Sequence, residues 1–349
     1  MSLSTQSDIS KKNLNEHSDI IWGKVGVLLV NLGTPNGYDK KSVRRYLKEF
    51  LSDRRVIEIP RLIWWPLLNG IILNVRPKRS SELYKSIWNK EQDESPLMTF
   101  TRSQSAQLSK YFSYISNLII DWGMRYGDPS IEGRLKILKK QGCERILIFP
   151  LYPQYSATTT ATVNDKAFNA FMKMRWMPAI RTVPPYHDDP HYIQALANSI
   201  ESHLKNLDFQ PDHMIASYHG IPKTYFDKGD PYPCHCLKTS RLLREKMGWD
   251  DGFLISTFQS RFGPEEWLKP YTDKTVEKLA YEGVKRICVI NPGFSSDCLE
   301  TLEEIAVEVC NQFIKYGGEN FSHIPCLNDS HEGIMLIKKI IKRETQGWI

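Results

Sequence analysis

The strongest candidates for reactive groups in this sequence are three evenly spaced glutamates. Glu300, Glu304 and Glu308 come shortly after an apolar run, Ile287–Ile290, that predicts a strand. In a helix, steps of four residues put these side chains on one face, with neighbouring carboxylates within ~6 Å of each other. Because like charges repel at that distance, such a row suits proton transfer or the binding of a hard cation. A solvated acidic helix face would show the same pattern.

His219 is the candidate partner of this acidic row. It follows a second apolar run, Met214–Tyr218, and is itself followed by Gly220 and Pro222. A histidine in such a position can also be purely structural. However, open α/β sheets place ligand sites outside the carboxyl ends of their parallel strands. We therefore expect His219 and Glu300 to meet at one rim, where a neutral imidazole could bind a metal ion or accept a proton.

The composition is that of an ordinary globular protein. The chain has 349 residues, of which 41% are hydrophobic and 25% charged, and this length favours two domains. The modest net charge of +6 permits attraction to an anionic substrate or membrane surface, and no nucleic-acid signature is present. Seven scattered cysteines without a C-x-x-C pair indicate a reducing compartment. Residues 1–20 are polar, lack the apolar core of a signal peptide and predict a flexible tail.

Four segments share one pattern of apolar strand, loop with glycine or proline, and helix: Val25–Val30, Arg145–Phe149, Met214–Tyr218 and Ile287–Ile290. This alternation predicts α/β architecture, with parallel sheets built from βαβ units. A weak internal repeat relates Gly142–Pro150 to Gly283–Pro292. We therefore expect two Rossmann-like domains with an active-site cleft between them. No dinucleotide or phosphate-loop motif follows a predicted strand, which argues against a nucleotide cofactor.

The proline-rich stretch 180–190 is the expected break between the domains. The predicted N-terminal domain covers residues 21–180, and the C-terminal domain, which carries the histidine and the glutamates, covers residues 181–327. A last helix, about His331 to Glu344, lies within residues 328–349 and is expected to pack back on the first domain.

The lip, as we call the segment of about residues 57–79, is unusually apolar. Its uncharged part, Leu62–Val75, is shorter than the ~20 residues of a spanning helix and is interrupted by a proline and a glycine. It contains the pair Trp64 and Trp65 and has basic residues at both ends, as membrane-interface elements do. A core helix, or an apolar cover over a flat hydrophobic ligand, would look the same.

Six motifs occur in a fixed order along the chain: Leu28–Pro35, Pro150–Ser156, Ser217–Pro222, Gly229–Tyr232, Gln259–Pro264 with Trp267, and Ser296–Glu304. Together they resemble the protoporphyrin ferrochelatase family in its bacterial form, over about residues 24 to 345. The resemblance implies a lyase that inserts Fe²⁺ into protoporphyrin IX with release of two protons, giving protohaem in the last step of haem biosynthesis. It also implies that the porphyrin binds in the cleft between two Rossmann-like halves.

The resemblance implies roles for individual residues. His219 and Glu300 would lie at the metal and the porphyrin centre, with Glu304 and Glu308 continuing outward as a relay for protons. Whether His219 first binds iron or first accepts a pyrrole proton stays open. The implied porphyrin-binding residues are Leu32, Tyr152 and Trp267 against the macrocycle, Arg125 and Tyr126 in the cleft, and Arg76, Arg79, Tyr84 and Ser95 near the propionates.

The sequence departs from some family members at cysteine positions. Ala157 stands where those members have the first ligand of a [2Fe–2S] cluster, and no cysteine cluster follows the last helix. We therefore expect no such cluster and no cofactor beyond the substrate iron. Cys234 and Cys236 flank a histidine but supply two thiolates at most. Cys298 replaces a second histidine of some relatives, either as a ligand for a soft metal or as a spectator.

Other functions fit parts of the pattern. A cobalt chelatase or a coproporphyrin ferrochelatase would share the fold, although the apolar lip favours the less polar protoporphyrin. A tetrapyrrole carrier without turnover would not need a row of carboxylates. The expected partners are protoporphyrin IX and ferrous iron, with loose attachment to the cytoplasmic membrane face and no nucleic acid. We expect a cytoplasmic monomer, peripheral on the inner membrane.

Overall fold

Two four-stranded parallel sheets form the framework of the chain. The computed structural model describes residues 23–349, so the tail predicted for residues 1–20 lies outside the described part. The first sheet contains β1 (Lys24–Gly33), β2 (Leu118–Tyr126), β3 (Cys143–Pro150) and β4 (Ala179–Thr182). The second contains β5 (His213–His219), β6 (Leu254–Gln259), β7 (Arg286–Ile290) and β8 (Asn320–Ile324). Every strand pairing in both sheets is parallel, which confirms the predicted α/β class.

The two sheets have the same strand order. The first is arranged β2-β1-β3-β4 and the second β6-β5-β7-β8. In each sheet the chain first adds a strand on one side of the starting strand and then crosses to the other side. This strand order predicts a crevice for ligands outside the carboxyl ends of β1 and β3 in one sheet, and of β5 and β7 in the other.

Helices connect these strands and cover the sheets. In chain order they are α1 (Lys40–Leu51), α2 (Arg61–Leu67), α3 (Leu73–Ile87), α4 (Pro96–Tyr111), α5 (Ile131–Lys140), α6 (Thr162–Phe171), α7 (Pro190–Lys205), α8 (Lys223–Asp227), α9 (Tyr232–Met247), α10 (Thr272–Tyr281), α11 (Cys310–Lys315) and α12 (His331–Glu344). Three segments have the wider π-helical winding: Leu68–Ile72, Ala157–Ala161 and Glu300–Val309.

Glycines shape the two corresponding helix-to-strand turns of the internal repeat. Gly142 follows α5 with a φ of 90°, and Gly283 follows α10 with a φ of 91°. This left-handed conformation is open to glycine and costly for residues with a side chain. Each turn directs the chain into a central strand, β3 or β7, so the repeat seen in the sequence is a repeat of structure.

The sheet interiors explain which strands the sequence revealed. Val25 and the run Val27–Val30 have no exposed surface, as expected for a parallel strand covered on both faces. By contrast, β2 carries Asp121 and Arg125 within its pairing register, which interrupts the apolar pattern. This strand and the shorter β4, β6 and β8 were absent from the sequence-based prediction.

The lip folds as α2, a π-helical turn and α3, with one buried face and one exposed face. Trp64 is only 2% exposed, and its indole Nε1 donates to the Leu51 carbonyl over 2.7 Å. Leu62, by contrast, is 92% exposed and Val75 is 70% exposed. One face of the lip is therefore packed as a core helix would be, and only Trp65 of the tryptophan pair lies at the surface. Contact of the exposed face with a membrane or a ligand stays a prediction. Among residues 23–349, no helix has the length and apolar character needed to cross a bilayer.

The last helix, α12, spans the predicted residues. It packs against α4 and α7, and the preceding loop is tied to α4 through Gln104, whose Nε2 donates to the Asn328 carbonyl over 2.7 Å. Arg181, at the end of the first sheet, donates to the Glu344 carbonyl over 2.8 Å. The chain end therefore contacts the first half, while the exact domain limits stay a prediction.

Candidate active site

The candidate site lies at the carboxyl ends of β5, β6 and β7. His219 is the last residue of β5, Gln259 is the last of β6, and Glu300 begins the π-helix that follows β7. This is the crevice that the strand order creates in the second sheet. The structure thus brings the predicted histidine and glutamates to one edge, together with a glutamine that had no predicted role.

Gln259 connects all three strand ends. Its Oε1 accepts from the Ser217 hydroxyl and from the Asn291 amide, each over 2.8 Å. Its Nε2 donates to the Glu300 carbonyl over 2.8 Å and approaches Glu304 Oε2 at 3.4 Å. Because its oxygen and nitrogen have different partners, the orientation of this amide is fixed. Gln259 therefore sets the position of the acidic helix relative to the sheet.

The imidazole of His219 is half-buried and has a defined tautomer. Its Nδ1 lies 2.6 Å from the Gly220 carbonyl oxygen, which can only accept, so Nδ1 carries the proton. In the neutral ring, Nε2 then keeps a lone pair. No hydrogen bond to Nε2 occurs within residues 23–349, so this nitrogen can accept a proton or bind a metal ion.

Gly220 and Trp267 form the wall directly behind this histidine. A Cβ placed on Gly220 would lie 2.9 Å from the Gln259 carbonyl oxygen and 3.1 Å from Trp267 Cε3. The indole is fixed at its other end, where Nε1 donates to the Phe262 carbonyl over 2.9 Å. Trp267 therefore lies beside Gly220, the residue after His219, and its predicted contact with the macrocycle stays a prediction.

Glu304 is the most constrained carboxylate of the row. The backbone N–H of Ser260 donates to Oε1 over 2.7 Å, and the Ser260 hydroxyl donates to Oε2 over 2.5 Å. Burial raises the pKa of Glu304, while the Ser260 hydrogen bond and the nearby His219 oppose that shift. This carboxyl therefore takes up a proton more readily than an ordinary glutamate does.

The acidic row runs along a π-helix rather than the expected α-helix. The π-helix forms hydrogen bonds five residues apart, which brings Glu303 towards Glu308. Burial, together with the charges of Glu308 and Glu304, raises the pKa of Glu303. Glu308 is exposed and pairs with Arg79 over 3.4 Å. The row therefore extends from the crevice to solvent and includes Glu303, which the four-residue spacing did not reveal.

The opposite wall comes from α3 and the ends of β1 and β3. Burial raises the pKa of Tyr84, and the Glu300 charge raises it further, which places the phenol near that carboxylate. Leu32 packs in the same cluster as Tyr84 and Leu299. Burial also raises the pKa of Tyr152, whose hydroxyl makes no hydrogen bond within the described residues. Tyr84, on α3, thus lies near Glu300, while Leu32 and Tyr152 lie at the carboxyl ends of β1 and β3.

Three other predicted contacts are engaged elsewhere. Tyr126 has no exposed surface, and its hydroxyl donates to Asp53 Oδ2 over 2.8 Å. Arg125 also pairs with Asp53 and is nearly buried. Ser95 is the buried N-cap of α4, where its hydroxyl accepts from the Met98 N–H over 3.3 Å. These side chains support the wall and are not brought to the crevice as free groups.

Arg76 and Arg79 lie at the crevice mouth. Arg79 is largely exposed, whereas the Arg76 guanidinium is partly covered and lies 5.3 Å from the ring centroid of Phe262, which belongs to the opposite side. Desolvation lowers the pKa of Arg76, and the Glu300 charge opposes this effect. The two arginines therefore connect α3 to the segment after β6 and to the acidic helix.

The cysteine motifs do not assemble a metal site in the structure. Cys234 is exposed, Cys236 is fully buried, and His235 stacks on His187 with ring centroids 3.7 Å apart. Cys298 is buried beside Glu300, and its burial raises the pKa of the thiol. Within residues 23–349, no three histidine, cysteine, aspartate or glutamate side chains converge as ligands for one ion.

The architecture is that of the metal chelatases. SirB from Bacillus subtilis, solved with Fe³⁺, matches with a TM-score of 0.56 and 11% identity, covering 93% of this chain and 97% of SirB. A SirB structure from subspecies spizizenii, solved with cobalt, gives a TM-score of 0.51 at the same identity, covering 93% and 95%. At such low identity the likeness concerns the fold alone.

The sequence comparison is more specific. The family model for ferrochelatase matches residues 24–345. The ferrochelatase of Rhizobium meliloti (strain 1021) is 63% identical over 334 residues, covering 96% of this chain and 98% of the relative. That of Agrobacterium fabrum is 62% identical over 333 residues, covering 95% and 97%. This chain belongs to the ferrochelatase family and is an enzyme, which confirms the resemblance found in the motifs.

Proposed function

We propose that this enzyme inserts Fe²⁺ into protoporphyrin IX and releases two protons, giving protohaem. The observation that carries the proposal is the hydrogen bond of His219 Nδ1 to the Gly220 carbonyl, which leaves Nε2 as the ring nitrogen available at the rim where Glu300 and Glu304 also lie. Family membership supports the reaction. The substrate metal would be bound by His219 and Glu300, since imidazole and carboxylate are ordinary ligands of ferrous iron.

Proton removal is the main chemical task of the protein groups. Metal insertion requires both pyrrole N–H bonds to break, and each proton needs an acceptor. His219 Nε2 accepts a proton, which then passes to a carboxylate of the row and leaves by way of Glu303 and Glu308 to solvent. The increasing exposure towards Glu308 gives this transfer a direction.

The remaining predicted residues would bind the substrate ring or support its walls. Leu32, Tyr152 and Trp267 provide apolar and aromatic surface for the macrocycle, with Tyr84 beside Glu300. Arg76 and Arg79 provide guanidinium groups for the propionates. Since Arg79 pairs with Glu308 in this structure, propionate binding would exchange one anionic partner for another.

The lip is proposed to contact the cytoplasmic membrane face and to receive protoporphyrin there. Its exposed residues Leu62 and Ile63 provide the apolar contact. Helix α1, which packs against α3, adds five cations that form no ion pair within the described residues: Lys40, Lys41, Arg44, Arg45 and Lys48. Such a combination of apolar and basic surface fits an anionic bilayer. A monomeric state, the absence of a further cofactor and the domain limits given above remain predictions.

Replacing His219 with alanine is the direct test of the proposal. Insertion of Fe²⁺ or Zn²⁺ into protoporphyrin, followed by porphyrin absorbance, should be abolished, while porphyrin binding measured by fluorescence should persist. Turnover retained in this variant would refute the assigned role. A wild-type protein that binds porphyrin without inserting metal would instead be a carrier, and a preference for coproporphyrin would move the substrate assignment to that acceptor.

A further inference from the structure

We infer that Ser260 is a positioning residue for proton removal, which orients Glu304 through its backbone N–H and its hydroxyl. The inference rests on the proposed function, because it assigns Glu304 a place in the transfer of pyrrole protons. Ser260 follows β6 directly and lies across the crevice edge from the π-helix that carries Glu304. The contact therefore joins two elements far apart in sequence.

The backbone of Ser260 is adapted to this contact. Its φ of 65° is in the left-handed region, where glycine is the usual residue. This conformation lets the N–H and the hydroxyl of the same residue bond the two oxygens of one carboxylate, at 2.7 and 2.5 Å. Glycine at this position would keep the backbone donor and lose only the hydroxyl. The side chain is therefore the part that needs a functional explanation.

The two donors differ in what they allow Glu304 to do. The N–H can only donate, so it holds Oε1 as an acceptor in every protonation state. A hydroxyl can donate or accept, so Ser260 can donate to an ionised Oε2 and accept from a protonated one. When a proton moves from the His219 imidazolium to Glu304, the N–H bond of the ring breaks and an O–H bond forms at the carboxyl. The serine then reverses its hydrogen bond without moving.

The surrounding groups leave Ser260 as the main close contact of this carboxylate. Gln259 Nε2 approaches Oε2 at 3.4 Å but is committed to the Glu300 carbonyl at 2.8 Å. Arg261 is engaged by Asp273 in a two-point ion pair. The orientation of Glu304 thus depends on Ser260 rather than on a cationic partner.

The test is a double-mutant cycle with Ser260→Gly and Glu304→Gln in the full-length enzyme, using Zn²⁺ and protoporphyrin as substrates. Ser260→Gly should lower kcat by roughly tenfold, part of the roughly 10²–10⁴-fold that a positioned proton acceptor contributes. The KM for protoporphyrin should change by less than about twofold. In the Glu304→Gln background, the same glycine substitution should have no further effect.

Two results would overturn the inference. A raised KM with unchanged kcat would mean that Ser260 binds porphyrin directly, and fully additive losses in the cycle would mean that it does not act through Glu304. The control is Asp93→Gly, which also relieves a left-handed residue, at φ 49°, and also removes a side-chain hydrogen bond, in this case to Trp88 rather than to the acidic row. If the wild type itself fails to insert metal, the proposed function is refuted. If the wild type inserts metal and Ser260→Gly has the same kcat as the wild type, only the inference about Ser260 is refuted.

Discussion

The indole of Trp267 lies so close to the α-carbon of Gly220 that the residue after His219 has no room for a side chain. A methyl group there would approach Trp267 Cε3 to 3.1 Å and the Gln259 carbonyl oxygen to 2.9 Å. Both neighbours are held, the indole by its bond to the Phe262 carbonyl and the strand end by sheet pairing. His219 is therefore positioned by close packing as well as by hydrogen bonding.

Gly220→Ala should consequently damage both stability and activity. Relief of the overlap requires displacement of the Trp267 ring or of the β5 end, which should lower the free energy of unfolding by roughly 1–3 kcal/mol. Metal insertion should fall with it, because His219 moves. Urea denaturation and an insertion assay measure the two effects. Gly70→Ala is the matched control, since a methyl group at that exposed position meets nothing within 4 Å and should be neutral.

Replacing Gln259 with glutamate should disconnect the acidic helix from the sheet. The substitution keeps the size of the side chain but replaces the Nε2 donor with an oxygen facing the Glu300 carbonyl and the Glu304 carboxylate. We expect a loss of roughly 1–3 kcal/mol in stability and a lower kcat. The exposed Gln194→Glu change, assayed in parallel, should leave both quantities unchanged. Wild-type stability in the Gln259 variant would contradict this role.

Asp53→Asn should leave the Arg125 guanidinium without a counter-charge in a nearly buried site. Removing one partner of such a pair costs roughly 3–5 kcal/mol, so chemical denaturation should show a large loss. Asp251→Asn, at an exposed ion pair, should have an effect of less than about 1 kcal/mol.

The same aspartate predicts a pH effect with a defined sign. Burial alone would raise the pKa of Asp53, but hydrogen bonds from Thr162 and the backbone, and the Arg125 charge, lower it overall. The contribution of the ionised Asp53 to the free energy of unfolding is therefore complete above the unfolded-state pKa of about 3.9. It is lost as the pH falls through the lower folded-state pKa. The wild type should lose this stability on acidification below about pH 4, while Asp53→Asn should lack that component. If the stability of the wild type and that of Asp53→Asn fell in parallel on acidification, this pH effect would be contradicted.

Membrane attachment should depend on the exposed face of the lip. Leu62→Ser with Ile63→Ser removes two apolar side chains, each worth roughly 1.5–3 kcal/mol when buried, and should weaken vesicle binding more than tenfold. Neutralising Lys40, Lys41 and Arg45 should reduce binding to phosphatidylglycerol vesicles but not to phosphatidylcholine vesicles. Tyr281→Ser, at an exposed position of α10, serves as the control. Co-sedimentation unaffected by the lip changes would refute the attachment.

The sequence predicted the elements whose local pattern carries the information. The buried strands before His219 and Glu300 were recognisable because a parallel strand covered on both faces is continuously apolar. Strand β2 was not recognisable, because Asp121 and Arg125 interrupt its apolar pattern and bind polar partners that only the folded chain supplies. The π-helical winding of Glu300–Val309 also left no signal, because its side chains have no distinct spacing preference. The contact of Ser260 with Glu304 and that of Asp53 with Arg125 depend on tertiary proximity, which motif spacing does not encode.

The shared strand order of the two sheets has a consequence for how such an enzyme can change over time. Both sheets open a crevice at equivalent strands, but the first furnishes Leu32 and Tyr152 while the second furnishes His219 and the carboxylates. Under the proposed function, most contacts to the macrocycle would be encoded by the first gene segment and the ligands of the inserted metal by the second, with Trp267 as the exception. Substitutions in the first segment would then be able to change the preferred porphyrin while the metal preference set by the second stays intact.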